Sequence, residues 1–256
     1  MTNRPVALVT GARRGIGRAS CVALAQKGYD ILGCDLAEDG FAETAAAVEA
    51  AGTRFDWTLC DVADLDAVDA MVAWAWEAGQ GLEALVNNAG VGAMQRGDIL
   101  DVTPASWDRC MDINARAPFF VTQAVARRMV APGAPQRGPR AVVFVSSANA
   151  LMASPDRTEY TASKTAVSMV ARCYAFRLAE DGIPVFDIRP GVIRTDMTAP
   201  VVAKYEQRIA DGLSPIRRWG QPEDVGNAIA GLVSGAIPFS TGDAFHIDGG
   251  LHMHKL

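Results

Sequence analysis

Residues 6–17 read Val-Ala-Leu-Val-Thr-Gly-Ala-Arg-Arg-Gly-Ile-Gly, and a helical pattern follows over residues 15–27. An unbroken apolar run suits a strand covered on both faces. Gly11, Gly15 and Gly17 then free the backbone at the turn from strand to helix. Such a turn lets main-chain amides at a helix N-terminus approach a pyrophosphate closely. Taken alone the triplet is weak: glycine supplies 24 of 256 residues, so about 0.2 such triplets are expected by chance. Its place between a strand and a helix gives it weight.

Outward from this turn, apolar runs alternate with helical patterns to the end of the chain. The runs fall at residues 6–10, 30–35, 55–61, 84–87, 141–146, 185–189 and 244–247. Helical patterns occupy residues 15–27, 41–51, 65–77, 104–129, 160–180 and 222–233. That alternation predicts a parallel sheet with helices on both faces, an α/β architecture. Residues 131–140 hold three prolines and two glycines and read as a surface loop. Residues 190–215, with a short helix expected at 201–211, stand where a doubly wound sheet carries its substrate lid. One domain spanning 1–256 accommodates all of this.

Composition removes several classes of function. Half the residues are hydrophobic, too many for a disordered chain. A net charge of −5 gives no pull toward nucleic acid or anionic lipid. The longest apolar run, residues 70–76, is far short of the ~18 needed to span a membrane, so a soluble cytoplasmic chain is expected. Cys21, Cys34, Cys60, Cys110 and Cys173 lack metal-ligand spacing and read as buried structural thiols. The three histidines, His246, His252 and His254, all lie in the last eleven residues. A histidine-based hydrolase or zinc enzyme would depend on that tail, so no metal site is expected.

At the end of the second strand, 18 residues past Gly17, stands Asp35. A carboxylate there accepts from adenosine ribose hydroxyls and repels a 2′-phosphate, which favours NAD over NADP. Arg13 and Arg14 pull the other way, since a guanidinium before Gly15 could reach that phosphate. Leu36, Ala37 and Glu38 add no positive charge.

The strongest signal lies farther on. Tyr160 and Lys164 stand four apart on one helix face, and Ser147 closes the fifth strand 13 residues earlier. With four tyrosines, four lysines and ten serines, this spacing arises by chance about 0.002 times. Here the chain resembles the short-chain dehydrogenase/reductase family over nearly its whole length. The resemblance rests on residues 10–17, Asp61-Val62, Asn87-Asn88-Ala89-Gly90, Asn114, Ser147, Tyr160 with Lys164, Arg189-Pro190-Gly191 with Thr195, and Ile247-Asp248-Gly249-Gly250. It implies a single Rossmann-type domain of seven parallel strands, a nicotinamide cofactor and a homotetramer. It also implies that Gly11, Arg13, Arg14, Gly15, Ile16, Gly17, Asp35, Leu36, Asn88, Ala89, Gly90, Pro190 and Gly191 line the cofactor. Asp61 and Val62 would then meet adenine, while Ile193 and Thr195 hold the carboxamide.

Hydride transfer to or from a carbinol carbon requires a group that exchanges the hydroxyl proton. Free tyrosine, with a pKa of ~10, is a poor base, but an ammonium and an oxidised nicotinamide nearby should lower it. Tyr160 is thus the expected acid and base, Lys164 its activator and a ribose ligand, and Ser147 the group that steadies the alkoxide. Asn114, through its backbone or side chain, would hold a relay water. Ser147, Asn149, Met152 and Arg157 are the expected substrate contacts, and Arg157 could pair with an acidic group. The substrate is then a small alcohol or carbonyl compound. Two alternatives compete: an NADPH-dependent 3-oxoacyl-(acyl-carrier-protein) reductase and a non-catalytic dinucleotide sensor. An intact Tyr160–Lys164–Ser147 set argues against the sensor, and Asp35 against NADPH.

Overall fold

Leu8 turns to one side of the first strand and Ala7 and Val9 to the other, and both sides are dry. That two-sided burial organises the chain. The computed structural model describes residues 3–199 and 202–253. Its strands are β1 (Val6–Thr10), β2 (Asp30–Asp35), β3 (Phe55–Leu59), β4 (Ala84–Asn87), β5 (Ala141–Val145), β6 (Val185–Pro190) and β7 (Ala244–Ile247). They form one parallel sheet in the order β3-β2-β1-β4-β5-β6-β7. The order reverses direction between β1 and β4, which opens a crevice at the carboxyl ends of those strands.

The helices are α1 (Gly15–Gln26), α2 (Phe41–Ala50), α3 (Leu65–Gly79), α4 (Pro104–Met111), α5 (Ala117–Met129), α6 (Thr158–Leu178), α7 (Val202–Ala210) and α8 (Pro222–Val233). α3, α5 and α6 cover one face through Val68, Met71, Val121, Val125, Val167 and Ala171. α1, α2 and α8 cover the other through Leu24, Phe41, Val48, Val225 and Ile229. Each buried Leu, Ile or Val side chain contributes about 1.5–3 kcal/mol, which the two layers draw on throughout. No helix among the described residues is long and apolar enough to cross a membrane.

Several boundaries depart from the sequence expectation. The stretch 104–129 is not one helix: a wider turn at Asp112–Arg116 separates α4 from α5. β3 ends at Leu59 and β6 runs on through Pro190. The third strand stops early because only Cys60 beyond it still donates to the ladder, to Asp35 O at 2.9 Å. After β6, α7 accounts for the short helix expected at 201–211, while Pro200 and Val201 lie outside the described residues. Cys173 is exposed, a correction to the reading of all five thiols as buried. It follows from the outward face of α6, where Met169 and Phe176 are exposed too.

The loop at 131–140 is anchored by its arginines. Arg140 donates to Met129 O, Ala134 O and Pro135 O. Arg137 reaches Glu83, whose side chain is fully buried before β4, with Nε to Oε1 at 3.1 Å. Glu83 also accepts from Val6 N at 2.7 Å and Arg137 N at 3.0 Å, so one carboxylate joins the loop to β1. Removing one partner of a buried ion pair costs about 3–5 kcal/mol because the other charge is stranded. Arg137→Ala should therefore lower the free energy of unfolding by that order in urea titration; a change below about 1 kcal/mol would contradict this role.

Candidate active site

The carboxyl ends of β1, β2, β4, β5 and β6 open onto one cleft of about 1490 Å³. At its floor Gly11 has φ +67°, and a Cβ on Gly17 would sit 1.8 Å from Gly11 O. Only glycine permits that approach. α1 begins after Arg14 with no side-chain cap, leaving its first amides free for an anion. Thr10 and Asn88 brace this turn. Thr10 Oγ1 accepts from Asn88 N and Ala89 N at 3.1 and 3.0 Å, and Asn88 Nδ2 donates to Thr10 O and Gly11 O at 2.9 and 3.0 Å. Asn88 therefore shapes the turn with its side chain as well as lining the cleft.

In sequence, Leu36, Ala37 and Glu38 offer Asp35 no cationic partner. It has one: Arg13 Nε stands 3.1 Å from Asp35 Oδ1, and Leu36 N donates to the same oxygen at 2.8 Å. Arg13 also reaches Asp39 Oδ2 at 2.5 Å, so two carboxylates hold its fork. Arg14 pairs with Asp196, in the segment after β6, at 2.8 Å, both largely exposed. Gly15, Ile16, Leu36, Asp61, Val62, Ala89, Gly90, Pro190, Gly191, Ile193 and Thr195 all line the same cleft.

Ser147, Asn149, Arg157, Tyr160 and Lys164 line its other end. Met152 is not among the residues lining the cleft, and its carbonyl accepts from Asn149 Nδ2 at 3.3 Å. Lys164 Nζ donates to Val145 O at 2.9 Å and lies 5.9 Å from the Tyr160 ring centre. Asn114 sits on the wide turn between α4 and α5. Its Oδ1 accepts from Val91 N at 2.8 Å, and its Nδ2 donates to Val91 O and Ser163 Oγ at 2.9 and 3.0 Å. Both amide hydrogens are taken and Oδ1 accepts one bond, so the side chain has a single lone pair left for a relay water.

Burial dominates the electrostatics. It raises the Tyr160 phenol above its ordinary value, opposed by the Ser147 hydrogen bond and by the Arg157 and Arg96 charges. This differs from the lowering expected in the sequence from the Lys164 ammonium and an oxidised nicotinamide; the charges that lower it here are those of Arg157 and Arg96. Burial likewise pushes Lys164 down to about 8, against the pull of Asp187.

Sequence reasoning missed Asp187, Ser146 and Ser168, a buried set behind Ser147 with no motif to mark it. It also missed that His246 and His252 converge on Asp248, with Nδ1 to Oδ2 distances of 3.6 and 2.7 Å. Their rings stack at 3.8 Å and 26°, and one ligand atom from each of His246, Asp248 and His252 lies within 4.8 Å of the others, a grouping the sequence expectation of no metal site did not foresee. His254 lies outside the described residues.

A family profile described as enoyl-(acyl carrier protein) reductase matches residues 11–252. The chain belongs to the short-chain dehydrogenase/reductase family. It is 34% identical over 247 residues to a 2-dehydro-3-deoxy-D-gluconate 5-dehydrogenase of Escherichia coli (strain K12), covering 96% of this chain and 94% of that protein. A gluconate 5-dehydrogenase of Gluconobacter oxydans (strain 621H) is also 34% identical, over 96% and 93% of the two chains. The crystal structure of a 3-oxoacyl-[acyl-carrier protein] reductase from Brucella melitensis in complex with NAD superposes with a TM-score of 0.96. It is 44% identical and both chains are fully covered. As a member of this family the chain is an oxidoreductase acting on CH–OH and C=O groups.

Because Lys164 is depressed to about 8 in the fold and returns to its ordinary 10.5 on unfolding, the unfolded chain holds the extra proton between those values. Stability owed to Lys164 therefore rises with pH across that window. Wild type should gain on Lys164→Met in urea midpoint as pH goes from about 7 to about 9.5. A flat or falling difference would contradict the buried-ammonium account.

Proposed function

We propose that this chain is an NAD-dependent oxidoreductase that interconverts a small secondary alcohol and its ketone, with Tyr160 as acid and base. The observation that carries the reading is the meeting of Ser147, Tyr160 and Lys164 at one end of a cleft whose other end is the glycine turn and Asp35. Nicotinamide, when bound, supplies the hydride acceptor or donor. The glycine turn and the open N-terminus of α1 fit its pyrophosphate; Asp61 and Val62 fit adenine, and Ile193 and Thr195 the carboxamide. Tyr160 Oη takes or gives the hydroxyl proton, and Ser147 Oγ donates to the developing alkoxide. Lys164 adds positive charge beside Tyr160 and reaches the ribose. Asn114, both its amide hydrogens taken, fixes the segment at Val91 and leaves its main-chain carbonyl or the one free Oδ1 lone pair for a relay water.

The cofactor choice rests on charge. Arg13 is engaged by Asp35 and Asp39 together, so the adenosine end keeps net negative charge that a 2′-phosphate would meet. The Brucella relative, named for an acyl-carrier substrate, was crystallised with NAD. Arg137 and Arg140 are spent on their own loop, which weakens the case for an acidic carrier protein as partner. Residues 190–215 act as the lid. Exposed Met169 and Phe176 on α6 support assembly as a homotetramer.

Three outcomes follow from this reading. Tyr160→Phe should lower kcat by about 10²-fold or more with any accepted substrate; retention of a tenth of wild-type turnover would refute the role. NAD should exceed NADP in kcat/KM by at least tenfold, ~1.4 kcal/mol; the reverse preference would move the adenosine contact to Arg14. Light scattering should find a mass well above the 27.1 kDa of one chain; a stable monomer at micromolar concentration contradicts the tetramer.

A further inference from the structure

The catalytic end of the cleft is lined by three guanidinium groups, Arg96, Arg109 and Arg157. The carboxylates lining the cleft lie elsewhere: Asp35, Asp39, Glu43 and Asp61 on the α1, β2 and β3 side, and Asp196 and Glu223 on the lid and α8. Arg157 Cζ stands 5.1 Å from the Tyr160 ring centre. Its Nη2 donates to Asn149 Oδ1 at 2.8 Å, a neutral acceptor, and its Nε is buried without a partner. Arg96 meets Asp156 at 3.4 Å, and Arg109 donates to Gly92 O at 3.2 Å. Glu159, next to Tyr160 in sequence, is buried against Ser106 Oγ at 2.5 Å and does not line the cleft.

Among the described residues this half-buried guanidinium is held only by a neutral amide and has no counter-ion, an arrangement that costs free energy unless an anion completes it. We infer that the substrate carries a carboxylate a few bonds from its reacting carbon, held by Arg157 with Arg96 beside it. This rests on the oxidoreductase reading above and names its substrate class: small hydroxy acids and the matching keto acids. A single carboxylate suits the charge better than a dianionic phosphate, because Arg96 is already paired with Asp156 and Arg109 with a main-chain carbonyl. The guanidinium plane also matches a carboxylate through two parallel N–H donors, a fit an ammonium lacks. Arg157 is linked to Ser147 through Asn149, whose Oδ1 accepts from Ser147 Oγ at 3.4 Å, so anion binding and alkoxide placement share one set of bonds.

The test uses the full chain saturated with NADH, which blocks turnover of alcohols and isolates binding. The probes are matched sets: D-gluconate with D-glucitol, both enantiomers of 3-hydroxybutyrate with their amides, and glycerate with glycerol and glycerol 3-phosphate. Affinity is read from thermal upshift against concentration. At least one acid should bind about 30-fold or more tightly than its neutral counterpart. Arg157→Met should cut that acid-to-neutral ratio about tenfold or more, and Arg157→Lys should restore part of it. Should Arg157→Met fail to fold, Arg96→Gln reads the same ratio with a smaller expected fall. Neutral counterparts binding as well as acids across the panel, an acid preference surviving both variants, or a preference for glycerol 3-phosphate would each overturn the inference. An acid that binds selectively yet is never oxidised with NAD would instead count against the oxidoreductase reading and leave the anion site standing.

Discussion

The site hangs on one buried carboxylate. Asp187, on β6, accepts from Ser146 Oγ at the end of β5, from Ser168 Oγ on α6 at 2.7 Å and from Arg189 Nε at 2.8 Å. Arg189 Nη2 closes the ring by donating to Ser168 Oγ at 2.7 Å. Ser146 precedes Ser147, and Ser168 lies one turn beyond Lys164, so this ring fixes the strand end at Ser147 against the helix that carries Tyr160 and Lys164. The carboxylate and its guanidinium are nearly inaccessible, and a buried charge is tolerated only when hydrogen bonds compensate it; Asp187 accepts three. Asp187 also sets the field: it draws Lys164 toward its charged form while burial pushes the other way.

That balance explains how the cleft divides its labour. At the adenosine end, arginines are matched by carboxylates, pair by pair, and the surplus is negative. At the end proposed for catalysis, Arg96, Arg109 and Arg157 line the cleft without a lining carboxylate, and burial favours the protonated Tyr160 phenol. A tyrosine held this way is a ready proton donor to a ketone, and becomes a base only when positive charge arrives beside it. The sheet makes the division stable, because the two ends are spread across strands on either side of the reversal between β1 and β4.

The sequence announced the parts of this arrangement that depend on local spacing. Two-sided apolar runs foretold the parallel sheet, and the glycine triplet with Asp35 foretold the cleft's first half. Tyr160, Lys164 and Ser147 stood out because their residue types are scarce at that spacing. What stayed hidden depends on contacts across the fold. Asp187 reads as an ordinary strand residue until β5 and α6 close on it. Pro118 was the sequence signal for the break in 104–129, since it cannot donate to the preceding turn; the form of the break depends on the pairing of Asn114 with Val91 and Ser163. Arg13 looked like a phosphate ligand because its two carboxylate partners, 22 and 26 residues on, come near only through the turn between β2 and α2.

The central claim is that Tyr160 is a buried phenol whose proton is released by cationic charge delivered to the cleft. Ultraviolet difference titration at the phenolate band, wild type minus Tyr160→Phe, measures it directly. In the free protein the difference should titrate above the ordinary tyrosine value of 10.0. With saturating NAD⁺ the same difference should move to lower pH, below that value. A difference titration unmoved by NAD⁺, or already below 10.0 in the free protein, would contradict the account.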